Sequence, residues 1–207
     1  MTTAKYEPQA RGWTQSAYAD AAGYLGRRAE LIATLAVPLV PGDRLLDLAC
    51  GDGGQAEPLL ERGLVYIGAD ASEAMVEAAR TRLAGRAEIH LADLNDFVPA
   101  RPVAATTIFR AIYYARDRRE LFRHVAAYTE KKLVFDLNPR QYRLDDVRAD
   151  LVAAGFDRLD VRPFFSPQRF ALPAALRRFL RAAEEIRPLA RLALRVRFSY
   201  LCAASRS

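Results

Sequence analysis

The chain is poor in the residues that would staple a small fold. Its 207 residues include two cysteines, Cys50 and Cys202, far apart in sequence and with no second thiol or histidine at metal-ligand spacing. That excludes a disulfide framework and a structural zinc site as organising principles and points to a reducing, cytoplasmic compartment. Histidine is equally scarce. His90 falls in a strand-like run and His124 in mid-helix, and no Ser-His-Asp or Cys-His constellation can be assembled around either. Apolar runs are short: Leu31 to Val40, among the longest, is interrupted by proline and cannot span a bilayer. Met1 to Gln9 is polar, so no secretory signal is expected there. Internal repeats, low-complexity tracts and linkers rich in Gly, Ser and Pro are also missing. Lysine is nearly so, at three of the 31 cations.

What remains has a globular composition, 51% apolar and 27% charged, with a net charge of +6. The positive excess is uneven: nine arginines follow Pro163, against only Glu184 and Glu185. From residue 43 to residue 162 strand-like and helical segments alternate, which predicts a parallel sheet covered by helices. Strands are expected at Arg44–Cys50, Val65–Ala69, Ala87–Leu91, Ala104–Phe109, Lys132–Asp136, Arg158–Arg162 and Arg195–Ala203. Helices are expected at Tyr18–Val37, stopped by Pro38 and Pro41, and near Gln55–Arg62. A further helix follows an N-cap at Ser72, and others cover Arg118–Tyr128, Leu144–Ala154 (closed by Gly155) and Pro173–Arg187. The fold class is therefore α/β, a doubly wound seven-stranded sheet with helices on both faces. We expect one domain over residues 1–207, with residues 1–40 as a helical lid and 41–207 as the core.

The informative stretch is LLDLACGDGG, Leu45 to Gly54: a buried strand runs into a turn holding Gly51, Gly53 and Gly54, and a helix begins there. Glycine takes positive φ freely and lets a ligand approach bare backbone, and helix N-terminal amides can face an anionic or polar group. Gly51, Gly53 and Ala56 also satisfy the dinucleotide fingerprint, a weak signal alone. The surrounding carboxylates sharpen the reading. Asp47 interrupts an apolar strand, where a charge needs a job or a partner. Asp70 ends the second strand, placed to accept ribose hydroxyls, and Asp93 stands just past the third. Three carboxylates suit an ammonium, a ribose diol and an exocyclic amine, and they suit a pyrophosphate poorly.

With these residues the sequence resembles the class I S-adenosylmethionine-dependent methyltransferases. The resemblance runs over roughly residues 13 to 203, through LLDLACGDGG, VYIGADAS, IHLADLNDF and the closing RVRFSYLCAAS. It implies a Rossmann-like methyltransferase fold whose last strand is antiparallel, and S-adenosylmethionine as cofactor, with S-adenosylhomocysteine as product. It also implies that Asp47, Ala49 (where the family usually has glycine) and Gly51 line the methionine end, with Gly53 a further cofactor-binding candidate. Asp70 would hold the ribose, Ala71, Asp93 and Leu94 the adenine, and Arg110 the cofactor's edge. Asp70 and Asp93 also suit plain capping roles beside their helix and turn.

The acceptor side should lie over the carboxyl ends of the strands. Trp13 and Tyr18 are available from the N-terminal segment, then Arg110, Tyr113 and Tyr114, then Asn138, Arg140 and Tyr142, then Phe164, Phe165 and Arg169. Of these, Trp13, Tyr18, Asn138, Arg140 and Phe165 are the substrate-binding candidates. Aromatic walls with a few polar points describe a small-molecule pocket. No general base is evident, which fits methyl transfer by proximity and alignment, with Tyr113, Tyr114 or Asp136 as proton acceptors if one is needed. Nucleic acid is disfavoured: no Asn-Pro-Pro-Tyr-like motif follows the fourth strand, and no stacking platform accompanies the arginines. The expected partner is a small-molecule acceptor, with the chain a monomer or homodimer. The basic segment Leu176–Arg197 could orient an anionic or lipid-linked acceptor at a membrane surface. A non-catalytic S-adenosylmethionine-binding subunit or sensor is the alternative, and an NAD(P)-dependent oxidoreductase a weaker one.

Overall fold

The computed structural model describes residues 10, 12–168, 170–186, 188, 190, 192 and 200–206. Two helices come first, α1 (Trp13–Ala17) and α2 (Ala21–Thr34), and an alternation of strands and helices follows. It runs β1 (Arg44–Leu48), α3 (Ala56–Leu60), β2 (Val65–Asp70), α4 (Glu73–Leu83), β3 (Glu88–Leu91) and β4 (Val103–Ile108). It continues through a 3-10 turn (Ile112–Tyr114), α5 (Arg118–Ala126), β5 (Thr129–Leu137), α6 (Leu144–Ala153), β6 (Arg158–Pro163), α7 (Ala174–Glu185) and β7 (Tyr200–Ser205). The strands form one sheet in the order β3-β2-β1-β4-β5-β7-β6, and β7 runs antiparallel to both of its neighbours.

The side chains of β1 explain the layering. Alternate residues of a strand point to opposite faces, so Leu45 joins Tyr66 and Ala105 beneath α2, α3 and α4. Leu46 and Leu48 join Ile67, Phe122 and Phe135 beneath α5 and α6. Both faces are buried, which is why β1 and β4 read as nearly unbroken apolar runs. The expected elements are present, most ends falling within a few residues of the sequence reading. Ser72 caps α4, accepting from the Met75 amide at 3.4 Å, and Gly155 closes α6 at φ 93°. Of the expected closing strand, residues 195–199 lie outside the described residues, and β7 starts at Tyr200. Both cysteines are free and buried.

One buried charge is out of keeping with this core. Lys132 lies inside β5 with no exposed surface, its Nζ donating to the carbonyl oxygens of Leu35 at 2.7 Å and Ala33 at 3.4 Å. It thus caps the C-terminal end of α2, where carbonyls lack helical partners. Burial, with the neighbouring Lys131, lowers its pKa to about 7.

Candidate functional site

The strand order reverses between β1 and β4, and a cleft opens there at the carboxyl ends of β1, β2 and β3. It encloses about 1140 Å³ of empty space, including the open solvent at its mouth. Asp47, Ala49, Gly51, Asp70, Ala71, Asp93, Leu94, Arg110, Tyr113, Tyr114, Trp13 and Tyr18 all line it. The remaining candidates do not. Gly53 is turned into the core, where an added Cβ would come 3.2 Å from both Ala79 and Leu83 of α4. Asp136 stands one layer back, its Oδ1 accepting from the Arg110 amide at 2.7 Å. Asn138 folds its side chain onto the Arg140 amide at 3.0 Å, and both residues are exposed. The Phe165 amide donates to Glu184 at 2.8 Å. Arg169 lies outside the described residues.

The carboxylates of the cleft are held rather than loose. Asp47 is buried and accepts from the Tyr66 hydroxyl and from the Thr107 hydroxyl, each at 2.7 Å. Desolvation raises its pKa, and those two hydrogen bonds and the charge of Arg28 oppose the rise. Asp70 accepts from the amides of Gly51 (2.8 Å) and Ser72 (2.9 Å), so it braces the loop and the turn that leads into α4 while lining the cleft. Burial pushes its pKa up as well. Asp93 similarly accepts from the Asn95 amide at 2.8 Å. The capping and ligand-facing readings of Asp70 and Asp93 are therefore compatible, since a carboxylate has about four acceptor positions and each spends only some of them on its turn.

The glycine loop differs from a phosphate cradle. Its amides are already engaged: Gly51 N–H with Asp70, Gly53 N–H with the Cys50 carbonyl at 3.2 Å, and Gly54 N–H with Asp52 Oδ1 at 3.3 Å. Nearby carboxylates and carbonyls take these three amides, so they are not free to face an anion. Gly51, at φ 59°, needs the left-handed conformation that glycine adopts without penalty. Ala49 (φ 61°) and Arg110 (φ 53°) also sit at positive φ, at the ends of adjacent strands. Two non-glycine residues in that region, both lining one cleft, mark locally strained backbone at the site.

Two further residues shape the site, and the sequence reading passed over both. Asp52 is buried and ties three elements together. It accepts from the Thr14 amide (3.0 Å) and hydroxyl (2.5 Å) on α1 and from Arg82 of α4 at 2.8 Å. The N-terminal helix is thereby fastened over the glycine loop, so closely that a Cβ on Gly54 would lie 2.0 Å from the Thr14 hydroxyl. Arg28, on α2, is 6% exposed and lines the cleft. Its guanidinium lies 4.4 Å from the Phe109 ring centroid, and its Nε donates to Gln55 at 2.5 Å. Burial works against its charge, and Tyr18, Tyr24, Asp47 and Asp136 outweigh that effect and raise its pKa. The signal was available: Arg28 interrupts the apolar stripe of Leu25, Ala29 and Ile32 on α2, where a cation needs a reason.

A cleft at the switch point, ringed by acceptors and carrying one buried cation, is the setting in which the similarities to known proteins carry weight. The family described as a methyltransferase domain matches residues 45–132, the span from β1 through the glycine loop into β5. Over that span the chain is similar to methyltransferase domains. Among curated methyltransferases, it is 46% identical over 65 residues to a demethylmenaquinone methyltransferase of Clavibacter sepedonicus, covering 30% of this chain and 26% of that one. It is 34% identical over 115 residues to a trans-aconitate 2-methyltransferase of Rhizobium etli, covering 53% and 43%. The chain spans less than half the length of the curated relatives it matches. A TehB-like SAM-dependent methyltransferase of Corynebacterium glutamicum shares the fold, with a TM-score of 0.67 at 17% identity over 99% of both chains. The methyltransferase fold thus extends over the whole sheet, while the local sequence likeness concentrates on the strands and loops that line the cleft.

Proposed function

We propose that the chain is an S-adenosylmethionine-dependent methyltransferase acting on a small-molecule acceptor. The observation that carries this reading is the pairing of Arg28 with the three carboxylates Asp47, Asp70 and Asp93 in one cleft. The donor set matches the polar groups of S-adenosylmethionine: a cation for its carboxylate, and acceptors for its ammonium, ribose diol and adenine amine. A dinucleotide would instead have to place its pyrophosphate against carboxylates and loop amides that are already bonded. Arg28 and Asp47 would then hold the methionine end, Asp70 the ribose, and Ala71, Asp93 and Leu94 the adenine.

The cofactor supplies a methyl group already activated on sulfonium, so the protein's work is alignment and exclusion of water. Trp13 and Thr14 close one side of the cleft through the Asp52 lock, and Trp13 lies with its ring centroid 5.6 Å from the Arg110 guanidinium. Tyr18, Phe109, Tyr113 and Tyr114 supply aromatic surface for a flat acceptor, with Arg110 at hand for an acidic group. Where the acceptor must lose a proton, Tyr113 and Tyr114 are in the cleft. Asp136, behind Arg110, acts through that arginine's backbone.

Mass-spectrometric detection of S-adenosylhomocysteine, run with a panel of phenolic, amine and carboxylate acceptors, tests this. Turnover with one class and its loss in an Arg28→Met variant are expected. Tight S-adenosylhomocysteine binding without transfer to any acceptor would favour the non-catalytic binding subunit.

A further inference from the structure

Helix α7 is docked inside out. A surface helix ordinarily buries its apolar stripe and shows its charges to water, whereas α7 leaves its apolar stripe exposed and buries the carboxylate of Glu184. Two of its charged residues turn toward the protein: Glu184 is 3% exposed and accepts from Arg27 of α2 at 2.7 and 3.0 Å and from the Phe165 amide at 2.8 Å. Arg177 pairs with Asp20, the residue that caps α2. The opposite side carries Leu176, Phe179, Ala183 and Ile186, at the 3-4-3 spacing of one helix face. Phe179 is 67% exposed, Ile186 48% and Leu176 42%, and Phe170, just ahead of the helix, is 60% exposed. An apolar helix face turned to solvent, with one buried ion pair and one partly exposed pair holding it there, marks an interaction surface rather than a packing defect.

We propose that this face of α7 docks the protein onto an anionic lipid bilayer. Charge selects the occupant. From Pro163 onward the sequence carries nine arginines and two glutamates, a net +7, while residues 1–162 carry 22 cations and 23 anions, a net −1. The whole positive excess therefore lies in the stretch that contains α7, with Arg178 exposed on the helix itself. Basic amphipathic helices bind in the interfacial plane, apolar side down, with arginine stems reaching the headgroups. A second copy of the chain would bring the same positive stretch against itself. A nucleic acid would leave Leu176, Phe179 and Ile186 in water. The bilayer satisfies both the apolar face and the charge. α7 is tied to α2 at Asp20 and Arg27, and α2 supplies Arg28 to the cleft, so the docking face and the site share one helix.

The test is vesicle co-sedimentation of the full chain with phosphatidylglycerol–phosphatidylcholine vesicles and with pure phosphatidylcholine, at low and high salt. Leu176→Ser/Phe179→Ser and Arg178→Glu variants are run beside the wild type. Thermal melting checks folding, which these exposed changes should leave in place. The wild type should bind the anionic vesicles, bind less in salt and ignore the neutral ones. The double variant should lose at least about tenfold in affinity, from the apolar area no longer buried in lipid. Failure to bind anionic vesicles at low salt overturns the proposal, as does binding that the double variant leaves unchanged. Concentration-dependent self-association of the wild type, abolished by the same double substitution, would also overturn it and make the face a homodimer interface. None of these outcomes depends on methyl transfer.

Discussion

Replacing Lys132 by methionine should flatten the pH dependence of folding stability. The amine has no exposed surface, and its pKa falls from 10.5 to about 7. The sign follows from proton counting: between those two values the unfolded chain holds a proton that the folded chain gives up, so stability rises with pH across that window. Below pH 7 both states are protonated and the full penalty of burying the charge applies; above 10.5 it vanishes. At about 1.4 kcal/mol for each tenfold change in proton affinity, the ceiling is about 5 kcal/mol. Bonds from a charged donor to carbonyls return about 1.5–3 kcal/mol, and the Leu35 and Ala33 carbonyls supply them. The expected gain from pH 7 to pH 10 is therefore about 2–3 kcal/mol in the wild type. Methionine keeps the stem's packing and removes the titration, at the expense of leaving the Leu35 carbonyl without its donor. The comparison should therefore be of slopes and not of absolute stabilities. Urea unfolding at intervals from about pH 6.5 to 10 measures both, and the tyrosines and cysteines common to the two proteins cancel in the difference. Parallel curves would refute the account of Lys132.

Three further expectations concern the site. Arg28→Met should leave the fold intact and weaken S-adenosylhomocysteine binding by roughly 10- to 150-fold, the worth of a hydrogen bond to a charged group, with titration calorimetry as the measure. Gly54→Ala should push Thr14 off Asp52, because the new Cβ would fall 2.0 Å from its hydroxyl; limited proteolysis should then cut between residues 12 and 20 faster than in the wild type, and unchanged cleavage would show that the lock gives way cheaply. Asp70→Asn should cost about 1–2 kcal/mol of stability by weakening the bonds to the Gly51 and Ser72 amides, and should weaken cofactor binding besides; a stability loss with unchanged binding would assign Asp70 to bracing alone.

The sheet was legible because its central strands are buried on both faces and bounded by turn residues, and the caps at Ser72 and Gly155 announce themselves locally. Asp70 and Asp93 were legible because each closes a strand, so strand ends located them. Arg28 and Asp52 were not, because their meaning is tertiary. Arg28 stands out in the sequence as a cation within an apolar stripe, but what it faces appears only when α2 is laid against Phe109 and Asp47. Asp52 looks like spacing within a glycine loop until Thr14 and Arg82 arrive from elements 38 and 30 residues away. Gly53 shows the converse: its place in a ligand-binding pattern says nothing of whether it faces a ligand or, as in this chain, α4. The orientation of α7 was equally hidden, because an amphipathic pattern implies apolar side inward, and only the buried Arg27–Glu184 pair reverses it.

The claim on which the rest depends is that the cleft takes S-adenosylmethionine and not a dinucleotide. Calorimetric titration of the purified chain with S-adenosylhomocysteine, NAD and NADP, with thermal melting in parallel, tests it most directly. At about a hundred times its dissociation constant, S-adenosylhomocysteine should stabilise the fold by about 2.7 kcal/mol, a rise of roughly 5–10 °C in Tm for a domain of this size, while the dinucleotides do nothing. Binding of NAD or NADP in preference to S-adenosylhomocysteine would contradict the cofactor-holding roles of Arg28 and the three carboxylates.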